Sequence, residues 1–391
     1  MNETLTQPEQ ASSHGAWLII TISALLCLGA LMVFSAGASL DQQIELDHFW
    51  DYATMRRVAF VPIVWIVLAL VAKINCARWV VNLDHFWISP LVILAGFSII
   101  LLVLVLIPGI GTEVNQSRRW LKFGPGQYGL TFQPSELAKW TIVMFLAAYA
   151  ALMGPKIRSF HQGFLPACLV LVLTVGLIGK EDFGTAALIG AVGVLVLLVG
   201  GVRWWHLLTL MPLAALAFYL LVYCDAHRWA RVLAHLYGGD AGSDMPTAYH
   251  AQQSIMAIGA GGMWGAGLGR GTVKLGWLPE DTTDFVFAVI GEELGFAGVV
   301  LVIGLFIALM VCAMTIVHHA RDPLARLLAV AIALMIGAQA GMNLCVVTGL
   351  VPTKGIALPF VSAGGSGLIM TAMAAGVLVN IARQNHSSIE H

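Results

Sequence analysis

The residues able to do chemistry in this chain fall into a few short clusters. The densest is Leu278-Pro-Glu-Asp-Thr-Thr-Asp-Phe285, continuing into Gly291-Glu-Glu-Leu-Gly295. It places five carboxylates, from Glu280, Asp281, Asp284, Glu292 and Glu293, within fourteen residues. A helix beginning near Thr283 sets Asp284 and Glu292 two turns apart on one face. A carboxylate there can serve as a general base, or favour the positive end of the helix dipole. Capping plus a solvated loop is the plainer reading, above all for Glu280 and Asp281. The second cluster is Gln133-Pro-Ser-Glu-Leu-Ala-Lys139. Ser135 reads as a helix cap, with Pro134 setting the way in. Glu136 and Lys139, three apart, are neighbours on one helix face; they either neutralise each other or place a cation in a cavity. Upstream, Ser117-Arg-Arg-Trp120 with Lys122 suits anionic phosphate, because guanidinium forks bind phosphate oxygens bidentately. An interfacial anchor is the alternative. Lys180-Glu-Asp-Phe-Gly-Thr185 puts Asp182 at a helix start, as an N-cap or as a partner of Lys180. Lys354, Ser362 and Ser366 lie in the stretch 349–366, where irregular backbone interrupts an apolar run. Such breaks are tolerated only inside protein or around a water-filled cavity. The glycine-rich stretch 257–271 lacks the Gly-Lys-Ser/Thr of a Walker loop and reads as a tight re-entrant or surface loop.

Helices in a membrane must position these clusters. Of the 391 residues, 59% are apolar and 10% charged, and the mean hydropathy is +0.86. A soluble domain carries about 25% charged residues, so an ordinary cytosolic enzyme and a disordered chain are both excluded. A membrane barrel would read as short alternating segments instead. Ten apolar runs read as spans: 16–38, 58–72, 86–108, 136–153, 164–179, 183–202, 206–224, 285–316, 324–348 and 355–382, of which the second and fifth are short and are expected to extend as helix into flanking polar residues. The expected fold is an all-α integral membrane protein of about ten transmembrane helices, with a large extracytoplasmic loop, 225–284, between helices 7 and 8. Residues 16–383 form one polytopic membrane domain, flanked by cytoplasmic tails at 1–15 and 384–391. Lys and Arg dominate the short loops on one side, which marks that side as cytoplasmic. The eighth run carries Glu292 and Glu293 in its first part, which is expected to lie outside the core or to line a cavity. A net charge of -1 without a long basic run predicts no nucleic-acid partner. Both signs of charge gather at the outer interface. A transport pathway would place ionisable groups near mid-membrane, whereas a site working on a lipid headgroup would place them at one interface.

Taken in order, the motifs resemble the SEDS family of FtsW, RodA and SpoVE. The matching segments are Arg118-Arg-Trp120, Gln133 to Lys139, Asp182-Phe-Gly-Thr185, Gly261-Gly262 to Gly269, Thr283-Asp-Phe285 with Glu292-Glu-Leu-Gly295, and Pro352-Thr-Lys-Gly355 to Gly364-Gly-Ser366. Ile107-Pro-Gly-Ile-Gly111 and Val114-Asn115 are more similar to the FtsW branch than to the RodA branch. The resemblance implies a peptidoglycan glycosyltransferase of the bacterial inner membrane, with its termini cytoplasmic. Such an enzyme polymerises lipid II at the outer face of the membrane. Its expected partners are a class B penicillin-binding protein (a transpeptidase) and other divisome or elongasome proteins, and the FtsW branch implies septal synthesis. The family's essential acid falls on Asp284, its helix-four pair on Glu136 and Lys139, and a further acid on Asp182. Arg118, Arg119, Lys354, Ser362 and Ser366 are the remaining candidates for binding the substrate. A divalent cation, Mg2+ or Mn2+, is an expected helper, and no organic cofactor is expected. Glu181, Ala363 and Gly367 stand where the family usually has proline, tyrosine and serine. The competing readings are a lipid II flippase, a RodA-type elongation polymerase and a non-catalytic scaffold.

Overall fold

The computed structural model describes residues 7–37, 53–74, 83–114, 117–123, 130–237, 246–272 and 283–387. Glu280 and Asp281 lie outside the described residues, as do the extreme ends of the two tails. Among the described residues, seven helices are long and apolar enough to cross a membrane, and three shorter apolar helices, Phe60–Val71, Pro90–Leu106 and Phe183–Val199, complete the ten expected spans.

Helices α1 (Gln7–Gly37) and α2 (Ala53–Val71) are followed by a short 3-10 turn, Leu83–Ile88, and by α3 (Pro90–Leu106). The chain then makes a structure that the apolar pattern does not announce. Strands β1 (Gly111–Val114), β2 (Ser117–Phe123) and β3 (Leu130–Phe132) form a three-stranded antiparallel sheet in the order β1-β2-β3. Strands of three to seven residues are too short for alternation to stand out beside charged side chains.

Next come α4 (Pro134–Met153), α5 (Leu165–Gly179) and α6 (Phe183–Val199). Helix α4 is the pillar of the fold. Its side chains are buried on every face, and it packs against α3, α5, α6, α12 and α13, as an all-round apolar helix must. Ala138, Ala147, Ala148 and Ala150 lie on it, and small side chains let neighbouring backbones approach closely. Its first residue is Pro134, with Gln133 in the cap position and no side-chain cap. Ser135 therefore sits inside the first turn and is not the cap that the sequence suggests.

The seventh span is assembled from α7 (Trp204–Leu208), α8 (Met211–Phe218) and a π turn, Tyr219–Tyr223. Proline in the first turn of α8 cannot donate a backbone bond to the preceding turn, which accounts for the division. The long loop after it holds two helices, α9 (Ala226–Tyr237) and α10 (Pro246–Ala260). Then follow α11 (Val286–His319), α12 (Pro323–Val347) and α13 (Gly365–Ser387). The last helix starts ten residues later than the apolar run at 355 implied. The segment 355–364 stays irregular, with Phe360 at a φ of 64°.

Helix α11 is two helices joined at Gly295, where φ is 66° and ψ is -161°. The glycine loop that follows α10 enters the break. Ala266 N donates to Glu292 O (2.9 Å) and Gly267 N to Glu293 O (3.0 Å), while Phe296 N donates to Gly262 O (2.8 Å) and Ala297 N to Met263 O (3.2 Å). In a straight helix the amides of 296 and 297 would bond to the carbonyls of 292 and 293. The loop thus replaces two helical bonds with four of its own. A Cβ on Gly295 would stand 2.3 Å from Gly265 N, so no other residue fits the joint. The glycine stretch is the tight loop expected of it.

Candidate functional site

A cavity of about 550 Å³ opens between the sheet, α4, α6, α9, α12 and the irregular segment 355–364. Seven of the nine site residues expected from sequence line it: Arg119, Glu136, Lys139, Asp182, Asp284, Ser362 and Ser366.

Helix α4 supplies its floor. Lys139 is 1% exposed, and its Nζ donates to Glu136 Oε2 (2.7 Å) and to Gln339 Oε1 (2.8 Å). Gln339, on α12, in turn donates from Nε2 to Ala357 O (2.8 Å). A charge buried this deeply is tolerated only when it is paired and hydrogen-bonded, and this chain of bonds meets both conditions. It also ties α4, α12 and the irregular segment together. Gly367 lies against the Glu136 carboxylate.

Asp284 comes two residues before α11 begins. It does not share a helix face with Glu292, because the helix starts later than Thr283. Two side chains pin its backbone. Asn343 Nδ2 donates to Asp284 O (2.8 Å) and to Ile356 O (2.6 Å). The Ser362 hydroxyl donates to Thr283 O and accepts from Leu358 N (2.7 Å). The Asp284 carboxylate rests against Gly355, where an added Cβ would lie 2.5 Å from Oδ2. Ser362 therefore acts as a brace for the backbone of both segments.

Sheet geometry separates the two arginines. Trp120 pairs with Thr112 and Arg118 with Glu113, which leaves Arg119 as the extra residue of a bulge, so Arg119 lines the cavity while the Arg118 side chain pairs with Glu113 on β1 (3.2 Å). The Arg118 amide donates to Glu181 Oε2 (2.8 Å), which gives the carboxylate in the usual proline position a structural partner. Arg119 Nη1 pairs with Asp182 Oδ2 (3.3 Å). Asp182 is also the N-cap of α6, with Oδ1 accepting from Thr185 N (3.0 Å) and Oδ2 from Thr185 Oγ1 (2.9 Å). Lys180 takes no part in this pairing among the bonds described. Lys354 stands beside the cavity with its ammonium 3.9 Å from the centre of the Phe183 ring. Burial pulls its pKa down to about 8; Asp182 opposes this, and Arg228 and Arg231 add to it.

Glu292 and Glu293 face away, toward the glycine loop. Glu292 Oε1 accepts from Thr272 N (2.7 Å) and Oγ1 (2.8 Å). Glu293 accepts from Ser35 Oγ (2.6 Å) and Gly271 N (3.4 Å), and Ser35 in turn accepts from Gly269 N (3.1 Å). These acids latch a loop to α1 and α11.

Three polar residues of the site escaped the sequence reading: Gln339 and Asn343 on α12, and Arg231 on α9, which also lines the cavity. The signal for the first two was available, because polar residues four apart inside an apolar span are costly unless they are bonded. Arg231 sits in a polar loop, where one more arginine is unremarkable.

A family model described as "Cell cycle protein" (FtsW/RodA/SpoVE) matches residues 16–387. A protein named "Probable peptidoglycan glycosyltransferase FtsW" from Trichlorobacter lovleyi is 38% identical over 384 residues, covering 97% of this chain and 96% of its own length. A protein of the same name from Halomonas elongata is 38% identical over 370 residues, covering 93% of this chain and 89% of its own. Among solved structures, a chain described under "Structural coordination of polymerization and crosslinking by a peptidoglycan synthase complex" superposes with a TM-score of 0.73 at 28% identity. It covers 94% of this chain and 97% of that one. The rod shape determining protein RodA of Thermus thermophilus superposes with a TM-score of 0.64 at 26% identity, covering 94% and 96%.

Proposed function

The chain belongs to the FtsW/RodA/SpoVE family of cell cycle proteins, and from that premise we propose that its cavity is the glycosyl-transfer site of a peptidoglycan glycosyltransferase that polymerises lipid II for septal wall synthesis. The protein is a multi-pass protein of the cytoplasmic membrane. In this reading the cavity opens to the outer face and both tails are cytoplasmic. The observation that carries it is the placement of Asp284, its backbone fixed by Asn343, at the wall of a polar cavity that also holds the Arg119–Asp182 and Lys139–Glu136 pairs.

Asp284 takes the proton from the acceptor sugar hydroxyl. The hydroxyl oxygen forms the new bond at the anomeric carbon of the donor, and the bond from that carbon to the diphosphate breaks on the opposite side. The departing lipid diphosphate carries away the electron pair. General-base help of this kind is worth about 10²–10⁴-fold. Charge growing on the leaving group falls to Arg119 and Lys354, and preorganised donors of that type are worth about 10²–10³-fold each. Among the described residues no group of three or more His, Cys, Asp or Glu gathers to hold a metal ion. A divalent cation, were one bound here, would be held by Asp284 and would supply neutralisation of leaving-group charge. The expected partner is a class B penicillin-binding protein, in keeping with the solved synthase complex that couples polymerization and crosslinking.

The test is polymerisation of lipid II by the purified chain with its transpeptidase partner. The wild type is expected to make glycan, and Asp284→Asn to make none while keeping its melting temperature. Polymer from folded Asp284→Asn would overturn the assignment. Translocation of labelled lipid II in proteoliposomes, with no polymer formed, would replace it with transport.

A further inference from the structure

Arg231, which lines the cavity beside Arg119, stands within electrostatic reach of three other cations: Arg119, Arg228 and Lys354. Among the described residues, two of these cations have an acid partner. Asp182 is paired with Arg119 (3.3 Å) and Asp225 with Arg228 (3.4 Å). Arg228 is committed further. Its Nη1 donates to Gly179 O (3.0 Å) and Leu221 O (2.9 Å), and its Nη2 to Lys180 O. These bonds dock the start of α9 onto the carbonyl end of α5, where a cation is favoured by the helix dipole.

One turn further along α9, Arg231 reaches the cavity. Among the described residues it makes no ion pair. Burial, Arg119 and Arg228 all disfavour its charge, and Asp225 alone opposes them. Lys354 is in a similar position, packed on an aromatic face without an ion pair among the described residues. Among the described residues, the cluster therefore presents two cations that no carboxylate holds in an ion pair. Like charges held together and partly desolvated are unfavourable until an anion arrives, and the guanidinium fork matches phosphate oxygens.

We propose that Arg231, with Lys354 across from it, is the site that binds the diphosphate of the lipid-linked sugar donor, and that Arg228 is the positioning residue that holds α9 over the cavity. This rests on the reading that the donor is a lipid diphosphate sugar. These two cations match the two negative charges of a bridging diphosphate.

The test is equilibrium binding of undecaprenyl diphosphate to the full chain in detergent, with undecaprenol as the uncharged control. Arg231→Gln is expected to weaken diphosphate binding about tenfold, the usual scale for a lost charge-assisted hydrogen bond, and to leave undecaprenol binding unchanged. Arg231→Lys is expected to recover part of the loss, since it keeps the charge but not the fork. Equal loss for the diphosphate and undecaprenol, or wild-type binding by folded Arg231→Gln, would overturn the proposal. A lipid II polymerisation assay keeps the two readings apart. A wild type that binds the diphosphate through Arg231 but makes no glycan leaves the anion site standing and removes the polymerase. A polymerising wild type with an unaffected Arg231→Gln does the reverse.

Discussion

Acidic residues stand at both ends of the short first half of α11. At its start, Asp284 is half-buried, its backbone bonded to Asn343 and its carboxylate turned to the cavity. At its end, Glu292 and Glu293 are 2% and 1% exposed, their oxygens taken by the amides and hydroxyls of the glycine loop and by Ser35. The same carboxylate group does opposite work at the two ends. Asp284 is anchored through its main chain at the wall of the cavity. The two glutamates are held by their side chains, so their work is to fix the fold. A dense acidic run is thus no guide to reactivity until the atoms that anchor each acid are known.

Substitutions that separate turnover from stability test this contrast. The largest effect is expected at Asp284, where Asn should lower lipid II polymerisation by at least about 10²–10⁴-fold with the melting temperature unchanged. Equal loss of folding would erase the distinction between the two ends. Gly295→Ala comes next. A Cβ at a φ of 66° and 2.3 Å from Gly265 N should cost about 3 kcal/mol or more, read as a collapse in folded yield and a lowered melting temperature. Smaller again is Glu293→Ala, which strips the acceptor from Ser35 and Gly271 and should cost about 1–3 kcal/mol. The surviving folded fraction should retain its turnover per molecule; a turnover defect at full stability would move Glu293 to the reactive side of the comparison.

The smallest effect is a pH dependence. Lys354 is an ammonium below about pH 8 and an amine above it, facing Asp182 from α6 and Arg228 and Arg231 from α9. Donor affinity should therefore hold up to pH 7 and fall by about tenfold or less toward pH 9. Lys354→Arg, which stays charged throughout, should flatten that profile; an unchanged profile would show that Lys354 does not meet the diphosphate.

The spans could be read from hydropathy because each is a local property of about 20 residues. The pairing of Glu136 with Lys139 was readable too, since helical spacing alone brings them together. What escaped were bonds between distant segments. Lys139 to Gln339 spans 200 positions and Ser35 to Glu293 spans 258, and no periodicity encodes either. The sheet escaped because its strands are short. Without it, Arg118 and Arg119 look equivalent, although the bulge in β2 leaves one paired with Glu113 and the other at the cavity. The late start of α13 escaped because residues 355–364 are apolar enough to pass for helix, while their backbone polar groups are met by Gln339, Asn343 and Ser362.

The loop inserted at Gly295 has a practical consequence for anyone building on this chain. Trp264 at its tip is 82% exposed, and an exposed loop tip is the usual choice for an epitope tag or a fluorescent insertion. Here the flanking residues are spaced to meet two carbonyls and two amides of a broken helix at once. One added residue between 262 and 267 would put both pairs out of register and strand backbone groups of α11 without partners. The loop has to be engineered as though it were a turn of the helix it interrupts.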